Sequence, residues 1–100
     1  ILIDEIDAGI HHSRFKKFWE VMLKIAQKDK IQLFATTHNI ECVKYFKEIL
    51  QQNDYKEYQN QSRVITLENL SPNKIKAYTR RFGEFEYELD NDFEIRGGDL

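Results

Sequence analysis

Ile1-Leu2-Ile3-Asp4-Glu5 and Ile31-Gln32-Leu33-Phe34-Ala35-Thr36-Thr37-His38 decide how this sequence is read. Each is a short, mostly apolar run without regular alternation, and each closes on residues that handle protons or cations. Runs of this kind suit strands covered on both faces. Residues 6–12 form a connection in which Gly9 supplies backbone freedom. Ser13 then offers an N-cap for a helix over 14–28. Phe15, Phe18, Trp19, Met22, Leu23 and Ala26 fall on one stripe of that helix, and most of its basic residues fall on the other face. Strand, helix and strand at this spacing make a βαβ unit, so strands 1–5 and 31–36 are expected to run parallel with a right-handed crossover. Their C-terminal ends then share one sheet edge, where open α/β sheets bind ligands. Asp4, Glu5 and His38 stand at that edge.

Downstream the signals are plainer. Asn39 caps a second helix over about 40–52. Its inward set is Val43, Phe46 and Leu50, flanked by Cys42 and Ile49. Residues 53–61 read as a polar loop. Strands 64–70 and 74–80, joined by Ser71-Pro72-Asn73, form a hairpin. Phe82, Phe85, Tyr87 and Leu89 fit a short helix and an alternating strand equally well. The tail 95–100 is expected to be loose.

Two carboxylates and an imidazole at one edge suit phosphoryl transfer to water. That reaction needs a divalent ion on the phosphates and a group that orients or deprotonates water. A strand-end acid can hold magnesium through its water shell, because this ion keeps several waters.

The apolar run into Asp4-Glu5 resembles a Walker B strand. Asp4-Glu5-x-x-x-Gly9-x-His11 before a basic amphipathic helix resembles the corresponding segment of ABC-type AAA ATPases of the overcoming-lysogenization-defect and SMC/Rad50-like groups. Phe34-Ala35-Thr36-Thr37-His38-Asn39 is similar to their switch-histidine loop. Arg63-Val64-Ile65-Thr66-Leu67-Glu68-Asn69 and Glu94-Ile95-Arg96-Gly97 resemble later family segments more weakly. The resemblance implies an α/β fold, a partial P-loop NTPase (ABC/RecA-like) core of parallel βαβ plus C-terminal β-hairpin. It also implies ATP and Mg2+ as cofactors of the complete domain, with ATP binding and hydrolysis as the function. By the same resemblance Asp4 anchors the magnesium shell, Glu5 is the general base and His38 is the switch histidine. Asp7 would sit where such ATPases signal across a dimer of heads, and His11 matches a recurrent histidine without an assigned role.

No Gly-x-x-x-x-Gly-Lys-Ser/Thr occurs in the 100 residues, and no Leu-Ser-Gly-Gly-like signature does either. Residues 1–100 are therefore read as the C-terminal portion of an ABC-type ATPase domain without its Walker A portion. The start on Ile1, without methionine, fits a fragment. The expected partners are the missing N-terminal ATPase segment and a second head in a homodimer. DNA is a candidate partner for the basic helix face, against the ordinary reading of a solvated surface. Two other classes stay in view for the chain. One is an inactive remnant acting as an interaction or oligomerisation module, and the other is a metal-dependent nuclease using Asp4, Glu5 and Asp7. A zinc site on Asp7, His11 and His12 is disfavoured, since adjacent histidines rarely ligate one tetrahedral ion.

Bulk properties bound these readings. A content of 41% hydrophobic and 32% charged residues is that of a soluble globular chain, and no apolar run nears the length of a membrane helix. A cytoplasmic location is expected, because the single cysteine, Cys42, excludes an internal disulfide and no signal peptide is evident. Net charge is −2 but uneven: residues 14–30 hold six bases against Glu20 and Asp29, and residues 84–99 hold seven acids against Arg96. Arg80-Arg81 reads as an exposed strand end and Cys42 as a buried helix residue.

Overall fold

A computed structural model describes residues 1–6 and 11–91. The chain divides between Tyr55 and Lys56 into two compact units. The architecture is mixed α/β, with a small parallel sheet in the first unit and an antiparallel hairpin in the second.

In the first unit β1 (Leu2–Ile3) pairs in parallel with β2 (Phe34–Ala35), matching Leu2 with Phe34 and Ile3 with Ala35. The parallel pairing agrees with the βαβ reading, but both strands are shorter than expected. Glu5 leaves the extended line at φ 52°, in the left-handed region, which ends the ladder on the β1 side. Leu2 and Phe34, opposite each other in register, are 74% and 60% exposed, so the expected burial on two faces does not hold. Among the described residues this sheet has two strands only, too few to shield its own faces.

The helix α1 (Phe15–Asp29) buries Phe15, Trp19 and Leu23, spaced i, i+4, i+8, with Phe18, Met22 and Ala26 half-buried beside them. This is the anticipated stripe. Its start differs. Ser13 lies inside a 3-10 turn (His12–Arg14), and Arg14 takes the cap position without a side-chain cap bond. The turn is closed by the Arg14 amide on the His11 carbonyl (2.8 Å), while the Ser13 hydroxyl lies 2.9 Å from His11 Nδ1. The helix stops where Lys30 turns left-handed (φ 52°), its amide and that of Ile31 both bonding to the Ala26 carbonyl.

The helix α2 (Ile40–Leu50) begins as expected, with Asn39 Oδ1 accepting from the Glu41 amide at 2.9 Å. It ends two residues before the anticipated limit. Its buried apolar face is Cys42, Ile49 and Leu50, with Val43 and Phe46 half-buried, so the stripe is rotated from the one expected. Trp19 of α1 meets this helix. Its indole Nε1 donates to the Cys42 carbonyl (3.0 Å) and its ring packs 4.7 Å from that of Phe46. Each fully buried side chain of this kind contributes about 1.5–3 kcal/mol. Residues 53–61 are not an open loop but a 3-10 segment (Asn53–Gln61) pinned by the buried Tyr55.

In the second unit β3 (Arg63–Ser71) and β4 (Lys74–Arg81) pair antiparallel, Arg63 against Arg81. Pro72 and Asn73 make the turn, and Asn73 takes the positive φ (69°) that the position after proline often requires. Ile65, Leu67 and Ile75 form an exposed apolar face of the hairpin. Residues 82–90 resolve as α3 (Phe82–Asp90), because Phe82, Phe85 and Leu89 bury at helical spacing while Tyr87 is 62% exposed. Arg80 corrects the expectation of an exposed end: it is 5% exposed, and its Nε donates to Glu88 at 2.6 Å.

Candidate functional site

The parallel register carries the site. Ile3 is matched with Ala35, so the next residues on the two strands are Asp4 and Thr36. The Thr36 hydroxyl donates to Asp4 Oδ1 at 2.5 Å and accepts from the Glu5 amide at 2.7 Å. The Thr36 amide donates to the Ile3 carbonyl at 3.0 Å, and the Thr36 carbonyl accepts from the Ile6 amide at 2.9 Å. Asp4 and Glu5 are both solvent-exposed. Neither strand end is therefore sealed, and water and ions reach both acids.

His38 follows Thr36 by two residues and is exposed, in the short link between β2 and α2. That link is shaped by the Asn39 amide, which donates to Thr37 Oγ1 at 3.0 Å, and by the Asn39 cap on α2. Asp4, Glu5 and His38 thus lie on segments leaving the same edge of the parallel pair. Asp7 and Gly9 lie outside the described residues, as does the 95–97 segment. His11 is exposed and engaged with Ser13, at the entrance to α1.

One strand-end carboxylate with a single oxygen held by a hydroxyl suits magnesium. That ion takes one or two carboxylates, fills most remaining positions with water and phosphate, and needs no dedicated cage. Among the described residues Asp4 Oδ2 makes no hydrogen bond, and no cluster of three or more His, Cys, Asp or Glu residues forms a cage for a metal. The donor set fits a hydrated, phosphate-bound magnesium ion.

Residues 1–44, which span β1, α1, β2 and the first residues of α2, match the family described as "AAA domain, putative AbiEii toxin, Type IV TA system". The match supports an AAA-type ATPase reading of this segment at a coarse level. No curated protein and no solved structure matches the chain. No helix among the described residues is long and apolar enough to cross a membrane.

Thr36 was given no role of its own by the sequence pattern, although a hydroxyl residue one step past the last parallel pair, opposite an acid, is a readable signal. A separate concavity of about 430 Å³ in the second unit is lined by Gln59, Asn60, Arg63, Arg81, Phe82 and Glu86, among others. Its charges are mixed, and Arg63 Nη1 is already bonded to the carbonyls of Asn60 and Ser62 at 2.8 and 2.7 Å.

Proposed function

We propose that this chain carries the magnesium- and water-handling half of an ATP-hydrolysing site of the ABC-type AAA class. The observation that carries the reading is the tie between the Asp4-Glu5 strand end and Thr36, which follows β2 directly and precedes His38 by two residues. The family match over residues 1–44 covers all of these residues and supports the coarser part of this reading, an AAA-type ATPase.

Asp4 would hold magnesium through its water shell, and a bound magnesium ion supplies neutralisation of charge on the β- and γ-phosphates. Glu5 would accept a proton from the attacking water as the new oxygen–phosphorus bond forms and the bond to the β-phosphate oxygen breaks, with the electron pair leaving on ADP. His38 would contact the γ-phosphate and report its presence to α2. Asp7 would serve the contact between two heads. The phosphate cradle must come from residues other than these 100, which contain no Gly-x-x-x-x-Gly-Lys-Ser/Thr. The exposed apolar pair Leu2–Phe34 and the exposed Ile65, Leu67 and Ile75 of the hairpin are surfaces that such a segment, or a second head, could cover.

The decisive experiment is Glu5→Gln in the polypeptide that includes the cradle. Turnover should fall by a factor of at least about 100, in line with loss of a general base, while ATP binding is retained. Wild-type turnover in that variant would refute the base assignment. The same missing cradle favours a second reading for the 100 residues taken alone: a non-catalytic interaction module. Accordingly, the 100-residue chain should show no magnesium-dependent ATP hydrolysis. DNA cleavage without ATP, lost on Asp4→Asn, would instead point to a nuclease.

A further inference from the structure

Thr36 makes four hydrogen bonds to one short segment. Its amide and carbonyl take Ile3 and Ile6, and its hydroxyl takes Glu5 and Asp4. Every residue from Ile3 to Ile6 is thereby attached to a single residue, one step past the end of β2. A hydroxyl has one donor and two acceptor lone pairs, so one oxygen can give its proton to a carboxylate and receive an amide proton together. At 2.5 Å the bond to Asp4 is of the short, charge-assisted kind. It commits Oδ1 and leaves Oδ2 as the oxygen available to an ion. The bond to the Glu5 amide holds a backbone turn (φ 52°) that a residue with a side chain adopts only at a cost.

We propose that Thr36 is a positioning residue for the Asp4–Glu5 pair: its hydroxyl fixes which Asp4 oxygen faces the cation and locks the left-handed turn from which Glu5 projects. The proposal rests on the ATPase reading above. Thr36 is solvent-exposed, so replacing its hydroxyl with a methyl opens no core cavity and leaves water free to reach the groups it released. Its contribution is therefore to geometry at the two acids rather than to burial.

The test compares Thr36→Val, Thr36→Ser and Glu5→Gln in the polypeptide that includes the phosphate cradle, reading kcat, KM for ATP and the magnesium concentration at half-maximal rate. Groups that orient metal ligands typically cost about 10–100-fold in metal affinity or activity when removed. Thr36→Val should lower kcat and raise the magnesium requirement by about that factor, with KM for ATP little changed. Thr36→Ser keeps the hydroxyl and should restore both. In the 100-residue chain, exchange of the Glu5 amide should quicken in Thr36→Val and stay slow in Thr36→Ser. A Thr36→Val protein with wild-type kcat and magnesium midpoint, beside an inactive Glu5→Gln, would overturn the Thr36 role and leave the ATPase reading standing. Wild-type turnover in Glu5→Gln removes the base assignment itself and the catalytic claim for Thr36 with it. Loss of the Trp19 melting transition in Thr36→Val, regained in Thr36→Ser, would make Thr36 a folding residue and overturn the proposal.

Discussion

Arg80 Nε donates to Glu88 Oε2 at 2.6 Å, tying β4 to the last turns of α3, while Arg80 Nη1 reaches Thr66 Oγ1 on β3 at 2.8 Å. One guanidinium thus joins three elements of the second unit. Its side chain is 7% exposed and that of Glu88 19%.

Breaking this pair from one side strands a charge in a site with little water. Arg80→Ala should cost about 2–4 kcal/mol, below the top of the range for fully buried pairs because Glu88 keeps some solvent. Replacing both partners by apolar residues, as in Arg80→Met with Glu88→Leu, should recover most of the loss. Urea denaturation followed by circular dichroism reads both numbers. Equal losses in the single and double variants would show that packing of the arginine stem, rather than the charge pair, is what matters.

Trp19 is the sole tryptophan of the sequence, so its fluorescence reports on the first unit alone. Trp19→Phe keeps an aromatic ring against Phe46 but removes the donor to the Cys42 carbonyl. The expected loss is about 1–2 kcal/mol, from the hydrogen bond and the smaller ring. A change within about 0.5 kcal/mol, the range of an ordinary surface substitution, would mean that the Cys42 carbonyl is served well enough by its own helix.

How far the sequence was legible follows from where its signals were local. The helical stripe Phe15-Trp19-Leu23, the Asn39 cap and the Pro72-Asn73 turn all rest on contacts within a few residues or on period, and each appears as read. The parallel pairing of residues 2–3 with 34–35 followed from the length of the connection. What the pattern missed depended on tertiary partners. The face that α2 buries depends on its packing against α1, where the Trp19 indole reaches the Cys42 carbonyl, and the burial of Arg80 on an acid eight residues away on a helix whose existence was undecided. Residues 82–90 were ambiguous because periods of 2 and 3.6 coincide over so few apolar positions. At the candidate site, Asp4, Glu5 and His38 were visible as residue types at strand ends. Thr36 was readable only once the register of the parallel pair was known, which period alone does not give.

Tyr55 gives a pH-dependent test of the first unit. Burial raises its hydroxyl above the ordinary 10.0, and the neighbouring Asp54 and Glu20 carboxylates push in the same direction. The folded state therefore holds the phenolic proton more tightly than the unfolded chain. This contribution to stability is complete below the unfolded value and is lost as pH climbs above about 10 toward the folded one. Tyr55→Phe should flatten that alkaline decline in a Trp19-monitored melting series without altering the trend near neutrality. An identical alkaline decline in the phenylalanine variant would show that Tyr55 is not its source.

Glu5 offers a test in which stability and function part company. A left-handed residue with a Cβ carries about 1–2 kcal/mol of strain, which glycine does not. At ordinary positions glycine is less stable than alanine by about 0.5–1 kcal/mol. At φ 52° the order should invert, with Glu5→Gly about 1 kcal/mol more stable than Glu5→Ala. Glu5→Val, β-branched, should be worse than either. All three variants lack the carboxylate, so all should be equally deficient in hydrolysis once the phosphate cradle is present. Melting temperatures of the three chains, set against turnover in the complete polypeptide, separate the two effects. Alanine more stable than glycine would mean that the backbone at Glu5 relaxes out of the left-handed region in solution. The Thr36 hydroxyl would then have no fixed turn to hold, and the strained placement of the second acid would cease to be part of the site.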